Sequence, residues 1–248
     1  MKRIFFFFLV LCMSACSQQK MRQQSQHTTL TLPSLSKENI IADQKQNSTF
    51  IVVRPLQKII PTTYLDWLYQ SNNRQKVQAY KTFLQQQKVL DIVPDFELFQ
   101  SARDWKKCNA QEFEIPSQEI WSNIIPTLQI LKKLVNTGIL TDFTVTSVYR
   151  NFNLNRCAGG ADSSKHVFNA ALDFRIGSAQ PSPEEQITIQ QTKHKICQFW
   201  IEQGKKFNMG LGIYASGQIH IDSAGYRSWG IDHRSTSSPC MGVILNKK

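Results

Sequence analysis

The sequence predicts an α+β fold, in which a helical N-terminal part packs on a small antiparallel sheet. Between residues 64 and 84, apolar side chains recur at the i, i+3, i+4 spacing of helices. Short stretches in which apolar and polar residues alternate come later, from residue 143 onward. The chain has 248 residues, of which 41% are hydrophobic, so it is long enough for one domain with a core and for additional tails.

Two more helical segments precede the first predicted strand. Residues 96–105 have the pattern of a short helix. Ser117 is suited to cap a helix that runs to Leu134, because its side-chain oxygen can accept a bond from a free backbone N–H. Pro126 lies inside this pattern and should kink or split the helix.

Three later segments are typical of strands, namely residues 143–149, 169–176 and 218–222. Side chains alternate between the two faces of a strand, so Asp173 and His220 each lie on the polar face of their segment. The opposite faces carry leucine, isoleucine and phenylalanine. We therefore expect each of these two strands to place one face on the core and to present candidate functional groups on the other.

A long helix should connect these two strands. Ser182 is a good N-cap, Pro183 suits the first helical position, and Glu185 can close a capping box. The helix is expected to run to about Gln203 and to stop at Gly204.

Two histidines and one aspartate point to a metal site. A catalytic zinc ion has three protein ligands and one open position for water, and imidazole and carboxylate are suitable donors. His166, Asp173 and His220 can supply such a set from two neighbouring strands. We interpret them as the ligands of a mononuclear zinc site with one zinc ion (Zn2+) per chain. A structural role for each histidine is the alternative.

The net charge favours an anionic partner. The chain carries a formal charge of +11 and has a pI near 9.5. It contains no dense run of lysine and arginine and no platform of interleaved basic and aromatic residues, which argues against a nucleic-acid partner. An anionic wall polymer or a lipid surface suits the composition better.

The first residues predict export. Two basic residues precede a short apolar stretch at 4–11, which is too short to span a bilayer as a helix. The following M-S-A-C is similar to a bacterial lipobox, with cleavage before Cys16 and lipidation of its thiol. An ordinary secretory signal that is cut near Ala15 is the alternative. Ser17 favours sorting to an outer membrane, and we expect an anchored lipoprotein that faces the periplasm.

The predicted organisation has three parts. Residues 1–15 form a lipoprotein signal peptide, and residues 16–60 comprise the lipidated cysteine and a flexible tether, because this polar composition cannot bury enough apolar surface to fold. Residues 61–248 form the folded domain. Four cysteines remain there, which suggests two disulfides with three possible connectivities: Cys108, Cys157, Cys197 and Cys240.

The motifs around the predicted ligands resemble those of a known enzyme family. S-V-Y-R, N-x-x-x-G-G-A, S-x-H-x-x-x-x-x-x-D, G-L-G-I-Y and H-I-D occur in this order. Together they are similar to the zinc D-alanyl-D-alanine carboxypeptidases and murein endopeptidases, whose fold is shared with hedgehog domains and lysostaphin-type enzymes. The resemblance continues upstream through W-K-K-C at 105–108 and covers roughly residues 60–240. It implies a zinc metallopeptidase.

The resemblance also implies roles for individual residues. His166, Asp173 and His220 fall on the zinc ligands of the family. Arg150 falls on an arginine that faces the metal and holds a peptide carboxylate or the developing oxyanion. Its strand neighbours Ser147 and Tyr149 are further candidates for substrate binding, although alternation prevents all of them from facing one cleft.

The same motifs place other residues near this site. Ser164 is positioned to support His166 through a hydrogen bond from outside the ligand set. Cys108 and Cys157 both lie in matched motifs, which implies a Cys108–Cys157 bond and leaves Cys197 to pair with Cys240.

The chain departs from the family pattern at the general base and at one turn. Relatives have a histidine two residues before the last ligand or a glutamate three before it, where this chain has Gln218 and Gly217. Asp222 is a candidate base or a partner that orients a ligand histidine, and His233 is a further candidate base. Asn169 replaces a glycine, which is acceptable because asparagine tolerates left-handed backbone conformations.

Two functions are compatible with these residues. The first is a peptidoglycan hydrolase that cleaves an amide bond next to a D-amino acid, either as a DD-carboxypeptidase on stem peptides or as an endopeptidase on cross-links. The second is a non-catalytic lipoprotein that contains zinc and binds murein or a partner protein. The absence of a familiar base keeps the second hypothesis open.

Overall fold

The computed structural model of the protein describes residues 58–245, with the backbone alone for the last two. The predicted signal peptide, the lipidation site Cys16 and nearly all of the tether therefore lie outside the described residues. Within the described part of the chain, no helix combines the length and the apolar character that a membrane span requires.

The described chain has an α+β architecture with a five-stranded sheet. The α-helices are α1 Thr62–Leu68, α2 Asn73–Gln86, α3 Asp95–Leu98, α4 Ile125–Asn136, α5 Phe152–Cys157, α6 Pro183–Gln203 and α7 Pro239–Leu245. Short 3-10 turns occupy Gln118–Ile124, Gly204–Phe207 and Ser235–Ser237. The strands are β1 Phe143–Ser147, β2 Ala171–Ile176, β3 Gly210–Ile213, β4 Gln218–Asp222 and β5 Arg227–Trp229.

The sheet is mixed, which corrects the prediction of an antiparallel one. Its strand order is β1-β2-β4-β3-β5, and only the β3–β5 pair is parallel. The two sides of β4 are already taken by β2 and β3. After the turn that follows β4, the chain reverses direction and reaches the free edge of β3, so β5 runs parallel to β3. The expected β2 and β4 pair directly, with Asp173 opposite His220.

Strand β1 is shorter than the predicted segment 143–149. Its register with β2 shifts between Val145 and Ser147, and the chain then leaves the sheet. The backbone N–H of Val148 donates to Gln100 O at 2.8 Å, and that of Arg150 donates to His166 O at 3.3 Å. This departure turns the end of the strand toward the loop that precedes β2.

The structure has helices in the predicted regions, but some of their bounds differ from the prediction. The helix expected over residues 96–105 is only the single turn α3, because the chain then extends to form a bridge between Gln100 and Phe113. Pro126 lies in the first turn of α4, so the predicted long helix is split into a 3-10 turn and α4. The Ser117 side chain makes no capping hydrogen bond.

Helix α6 begins and ends where the sequence predicts. The hydroxyl oxygen of Ser182 accepts a bond from the Glu185 N–H at 3.2 Å. The capping box is incomplete, because the Glu185 carboxylate instead binds the backbone and hydroxyl of Ser178. This contact connects the start of α6 to the end of β2.

One hydrophobic core lies between the apolar face of the sheet and the helices. Leu172 and Phe174 of β2 and Ile219 and Ile221 of β4 are at most 1% exposed. Aromatic side chains of the N-terminal helices and the following loop extend this core, and they include Tyr64, Trp67, Tyr80, Phe99 and Phe113. The polar face of β2 and β4 is consequently left for the site.

Two disulfides connect distant parts of the chain. Cys108 is bonded to Cys157, and Cys197 is bonded to Cys240. These are the pairings that the family resemblance implies. The first fastens the loop after α3 to the end of α5, and the second fastens α6 to α7.

Candidate metal centre

The three predicted ligands meet on the polar face of the sheet. Asp173 on β2 and His220 on β4 are register partners, so their side chains rise next to each other. His166 lies in the loop before β2. Its ring reaches the pair because the Arg150 N–H holds the His166 carbonyl and because the loop ends in a left-handed turn at Asn169, with φ +52°. The asparagine therefore adopts the conformation that the family glycine would favour.

Asn169 also fixes this loop from inside the protein. Its side-chain amide donates to Tyr80 Oη at 3.2 Å and to Ile120 O at 3.1 Å. The residue is fully buried. The loop that carries His166 is thereby attached to the helical part of the domain.

The ligand atoms are close to one another. Asp173 Oδ1 lies 3.1 Å from His166 Nε2 and 2.9 Å from His220 Nδ1, and the two ring nitrogens are 3.2 Å apart. Ligands at about 2.0 Å from a tetrahedral zinc ion are separated by about 3.3 Å. The observed separations are close to that value.

The protonation of the rings makes this arrangement suitable for a cation. His166 Nδ1 donates to the carbonyl of Val148 at 2.6 Å, and His220 Nε2 donates to the Asp222 carboxylate at 3.0 Å. In the neutral tautomers, the two facing nitrogens therefore carry lone pairs. Two nitrogen lone pairs and one carboxylate oxygen converge, and no N–H group of these residues points into the space between them. The residues therefore fit a zinc ion.

In the metal-free site, burial and neighbouring charges shift the pKa of each of the three residues. Burial lowers the pKa of His166 to about 4, although Asp173 opposes this effect. The two histidines and Arg150 overcome the effect of burial on Asp173 and hold its pKa well below the usual value. Burial alone would lower the pKa of His220, but its bonds to Asp173 and Asp222 raise it. The carboxylate and the His166 lone pair are thus available for a metal at neutral pH.

Asp222 lies behind His220 and has no free oxygen. Its Oδ2 accepts from His220 Nε2 and from Arg227 Nη2, and its Oδ1 accepts from Ala224 N and Arg227 Nη1. Burial tends to raise its pKa, but these bonds lower it to about 2. A fully buried, fully bonded carboxylate with so low a pKa is a poor base, and its place is that of a partner that orients His220.

Arg150 is bound to the ligand carboxylate. Its Nη2 donates to Asp173 Oδ2 at 2.6 Å and its Nε donates to Ser147 Oγ at 2.9 Å. Ser147 in turn donates to Ser101 O at 2.6 Å and is 2% exposed. Ser147 therefore positions Arg150 and does not itself reach the cavity, and Tyr149 is likewise outside the set of cavity-lining residues.

The remaining predicted residues are placed as follows. Ser164 lines the cavity, but among the described residues the partner of His166 Nδ1 is Val148, not Ser164. Gln218 is buried and accepts from Thr146 Oγ1 at 3.2 Å. It is thus a structural residue at the position of a family base. His233 is exposed and lines the cavity.

The site opens into a cavity of about 1230 Å³. Its walls are four segments: the loop at Arg103, residues 158–165, the β3–β4 turn and residues 227–235. The Cys108–Cys157 bond ties the first two segments together. The cavity suits a peptide more than a small molecule, because its volume exceeds that of an ordinary ligand pocket.

Several residues of this cavity were not assigned by sequence reasoning. Arg227 donates hydrogen bonds from both terminal nitrogens to the Asp222 carboxylate. The indole N–H of Trp229 donates to the Tyr214 hydroxyl oxygen at 3.0 Å. The G-L-G-I-Y and R-S-W stretches contain them, but no sequence periodicity indicates that these stretches meet. Their contact depends on the parallel pairing of β3 and β5.

The comparisons with known proteins agree with this geometry. The model of a protein family described as Peptidase M15 matches residues 96–222, which is just over half of the chain. The match includes all three ligand residues and Arg150. No curated protein and no solved structure matches the chain.

Proposed function

The chain belongs to the peptidase M15 family of metallopeptidases, and on that premise we propose that it is a zinc-dependent peptidoglycan hydrolase. It cleaves an amide bond next to a D-amino acid, as a DD-carboxypeptidase on stem peptides or as a murein endopeptidase on cross-links. The observation that carries the proposal is the convergence of three lone-pair donors whose other polar atoms are already bonded.

The ligand set supports hydrolysis because it leaves room beside the metal position. His166, Asp173 and His220 would hold one zinc ion, and the cavity adjoins all three side chains. When bound, zinc supplies a Lewis acid that polarises a carbonyl and makes water a better nucleophile near neutral pH. The surrounding residues then have to bind the peptide, place its carbonyl and transfer protons.

Arg150 is suited to the first of these tasks. Its bonds to Asp173 and Ser147 hold the guanidinium rigidly beside the ligands and use Nε and Nη2. Its Nη1 has no partner among the described residues. We assign to this nitrogen the binding of a peptide carboxylate or of the negative charge that develops on the scissile carbonyl.

His233 is the group that we assign to proton transfer. Asp222 and Gln218 are both engaged in structural bonds, whereas His233 is exposed at the cavity. An imidazole exchanges protons near neutral pH more readily than any other side chain. In this proposal, His233 accepts the proton of the attacking water and returns it to the leaving amine.

The mouth of the cavity favours acidic peptides. Arg103 and Lys165 line it, and neither has a carboxylate partner among the described residues. Peptidoglycan stem peptides carry several carboxylates, so these cations complement them. The predicted lipid anchor at Cys16 would hold the domain at a membrane surface, with the outer membrane and the periplasm as the proposed location.

The first test is metal content and cleavage by the full chain, purified in detergent. We expect about one zinc per chain, loss of the zinc in a folded His220→Ala variant, and zinc in the matched variant His194→Ala, whose histidine is exposed on α6. Cleavage of cross-linked or uncross-linked muropeptides should stop on chelation and return with zinc. Lack of zinc-dependent cleavage of both substrates would overturn the proposal.

The alternative is a non-catalytic lipoprotein that contains zinc and binds murein or a partner protein. The specific observation in its favour is that Gln218, at one family base position, and Asp222, the other candidate on this strand, are both engaged in structural bonds and are not free to act as a base. Murein binding that persists in His166→Ala, together with no turnover by the zinc-loaded wild type, would support this alternative.

A further inference from the structure

One wall of the cavity is built from the G-L-G-I-Y and R-S-W stretches and is not used by the ligand set. We infer that Tyr214 is a catalytic residue whose hydroxyl donates a hydrogen bond to the carbonyl oxygen of the scissile amide. The bond strengthens as negative charge develops on that oxygen. This inference rests on the proposed function and adds a residue that sequence reasoning did not assign.

The backbone of Tyr214 is held in place by a buried lysine. Tyr214 follows β3 directly, and its N–H donates to Gln218 O at 3.0 Å. Lys193 on α6 is 5% exposed, and its ammonium donates to Tyr214 O at 2.7 Å and to Ala215 O at 3.1 Å. A buried cation that is bonded to two carbonyls of one turn fixes that turn.

The side chain of Tyr214 is held by Trp229. The indole N–H donates to the Tyr214 oxygen at 3.0 Å, and the indole ring centre lies 5.2 Å from the ring centre of His220. Trp229 can take this position because Gly212 faces it. A Cβ on Gly212 would lie 2.7 Å from the indole. The tyrosine oxygen is therefore placed by a ring that itself packs against a metal ligand.

The direction of the hydroxyl proton follows from this bond. An indole nitrogen can only donate, so the Tyr214 oxygen accepts and keeps its own proton for another partner. The described residues provide no acceptor for that proton within hydrogen-bonding distance. Tyr214 lines the same cavity as His166, Asp173 and His220. A donor without a partner consequently faces the space where a substrate carbonyl would lie.

Burial favours the protonated form of the Tyr214 hydroxyl in the metal-free protein. Burial raises the pKa of Tyr214, and the charge of Asp173 adds to this effect. The Trp229 bond and the positive charges of Arg150 and Arg103 oppose it without reversing it. In the proposed role the hydroxyl donates a hydrogen bond and keeps its proton, which agrees with this direction of the pKa.

The kinetic test is Tyr214→Phe in the full-length zinc-loaded protein. Removal of one preorganised donor of this kind lowers kcat about 100-fold. We expect that loss with KM within about twofold and with unchanged zinc content and thermal unfolding. Tyr69→Phe is the matched control, because Tyr69 is exposed at the end of α1, away from the cavity. It should retain the wild-type kcat.

Trp229→Phe tests the positioning of the hydroxyl. It keeps a ring beside His220 but removes the indole N–H, and we expect kcat to fall about tenfold. Since Trp229 acts through the Tyr214 oxygen, the double variant should be no slower than Tyr214→Phe within about twofold. Independent, multiplicative losses would overturn this coupling and with it the assigned geometry.

Two readouts do not depend on turnover. In the metal-free protein, the indole N–H resonance of Trp229 should shift in Tyr214→Phe, which would show that the bond exists in solution. Zinc-loaded wild type should bind a phosphinate dipeptide, which carries the charged oxygens of the reaction, about 100-fold more tightly than Tyr214→Phe does.

These measurements separate the two claims. A wild-type protein that cleaves no muropeptide contradicts the proposed function, while the phosphinate comparison still decides the role of Tyr214. Equal phosphinate binding by wild type and Tyr214→Phe, or an unchanged kcat in the variant, would overturn the inference and leave the proposed function standing.

Discussion

At the scale of single residues, Asp222 shows how a buried carboxylate shapes the site without belonging to the ligand set. It fixes the tautomer of His220 through Nε2 and is itself held by Arg227 and a backbone N–H. Partners of this kind typically contribute a factor of about 10 to 100 to metal affinity. The aspartate of H-I-D is thus explained by orientation of a ligand.

Asp222→Ala should weaken zinc binding about 10- to 100-fold while the three ligands remain. The physical reason is that His220 loses the acceptor that sets its ring angle and tautomer. Competition with a chromophoric chelator would measure the change in Kd. Asp232→Ala is the control, since Asp232 is exposed and bonds only within its own loop. Equal affinity in both variants would refute the assigned role.

The pKa shifts predict opposite behaviour of the two ligand histidines in the metal-free protein. His166 should stay neutral down to about pH 4, because its ring is buried. His220 should protonate above its ordinary pKa of 6.5, because two carboxylates face it. Long-range ¹⁵N NMR of the two rings across pH 3 to 9 would test this order, and protonation of His166 before His220 would contradict it.

The same shifts predict the sign of a pH effect on stability. The folded pKa of His166 lies below the unfolded value, so its contribution is complete above about pH 6.5 and is lost as the pH falls toward about 4. The contribution of His220 has the opposite sign, because its folded pKa is raised. It is complete below the unfolded pKa of 6.5 and is lost as the pH rises through the folded pKa. Urea unfolding of metal-free His166→Gln should therefore show a weaker loss of stability on acidification than the wild type.

At the scale of elements, the turn after β4 and the short strand β5 determine the shape of the cavity wall. The parallel pairing places Trp229 opposite Gly212, which is also the register partner of His220. A glycine is needed at this crossing because any side chain would occupy the space of the indole. Trp229 of β5 thus lies between His220 and Tyr214 and contacts both.

Gly212→Ala should displace Trp229 and disrupt this wall. The added Cβ would lie 2.7 Å from the indole, and overpacking of this kind costs about 1–3 kcal/mol of unfolding free energy. We also expect kcat to fall at least tenfold, because the Tyr214 oxygen loses its donor. Gly242→Ala in α7 is the control, since nothing lies within 4 Å of its Cβ position. Wild-type stability and kcat in Gly212→Ala would contradict the packing argument.

At the scale of the whole molecule, the net positive charge of the chain and the cations at the cavity mouth both attract anionic molecules. The chain has a formal charge of +11. Arg150 and Arg227 are neutralised by aspartates, whereas Arg103 and Lys165 have no acidic partner within residues 58–245. A surface potential of this kind raises the encounter rate with an anionic polymer, and salt screens it over about 10 Å at 0.1 M. We therefore propose that the charge serves capture of an anionic substrate more than the fold.

Arg103→Gln combined with Lys165→Gln should raise KM for carboxylate-rich muropeptides several-fold and leave kcat nearly unchanged. The wild-type kcat/KM should fall with added salt, and the double variant should be less sensitive, because two mouth charges are removed. Lys205→Gln with Lys206→Gln changes the net charge equally outside the cavity, which makes it the matched control. Identical salt dependence in both double variants would refute a specific role for the mouth.

The sequence by itself determined those features that depend on local pattern. The capping residue Ser182 and Pro183 at the first helical position define the start of α6. Alternation in β4 places His220 and Asp222 on one face, and an asparagine at 169 is compatible with the left-handed conformation that the structure has there. These features depend on residues that are close together in the chain, so they can be predicted from the sequence. The motif order also indicated the family to which the chain belongs.

Only the tertiary structure decided which segments far apart in sequence pair or form hydrogen bonds with each other. The parallel placement of β5, the end of β1 at Ser147 and the contact between Trp229 and Tyr214 all depend on pairing between segments far apart in sequence. The donors of Asp222 lie close to it in the chain, but only the folded structure shows that they occupy both of its oxygens and leave none free for a base. Burial and the competition for hydrogen-bond partners are properties of the folded molecule, and they assign these roles because most buried polar atoms are paired with groups that only folding brings within reach.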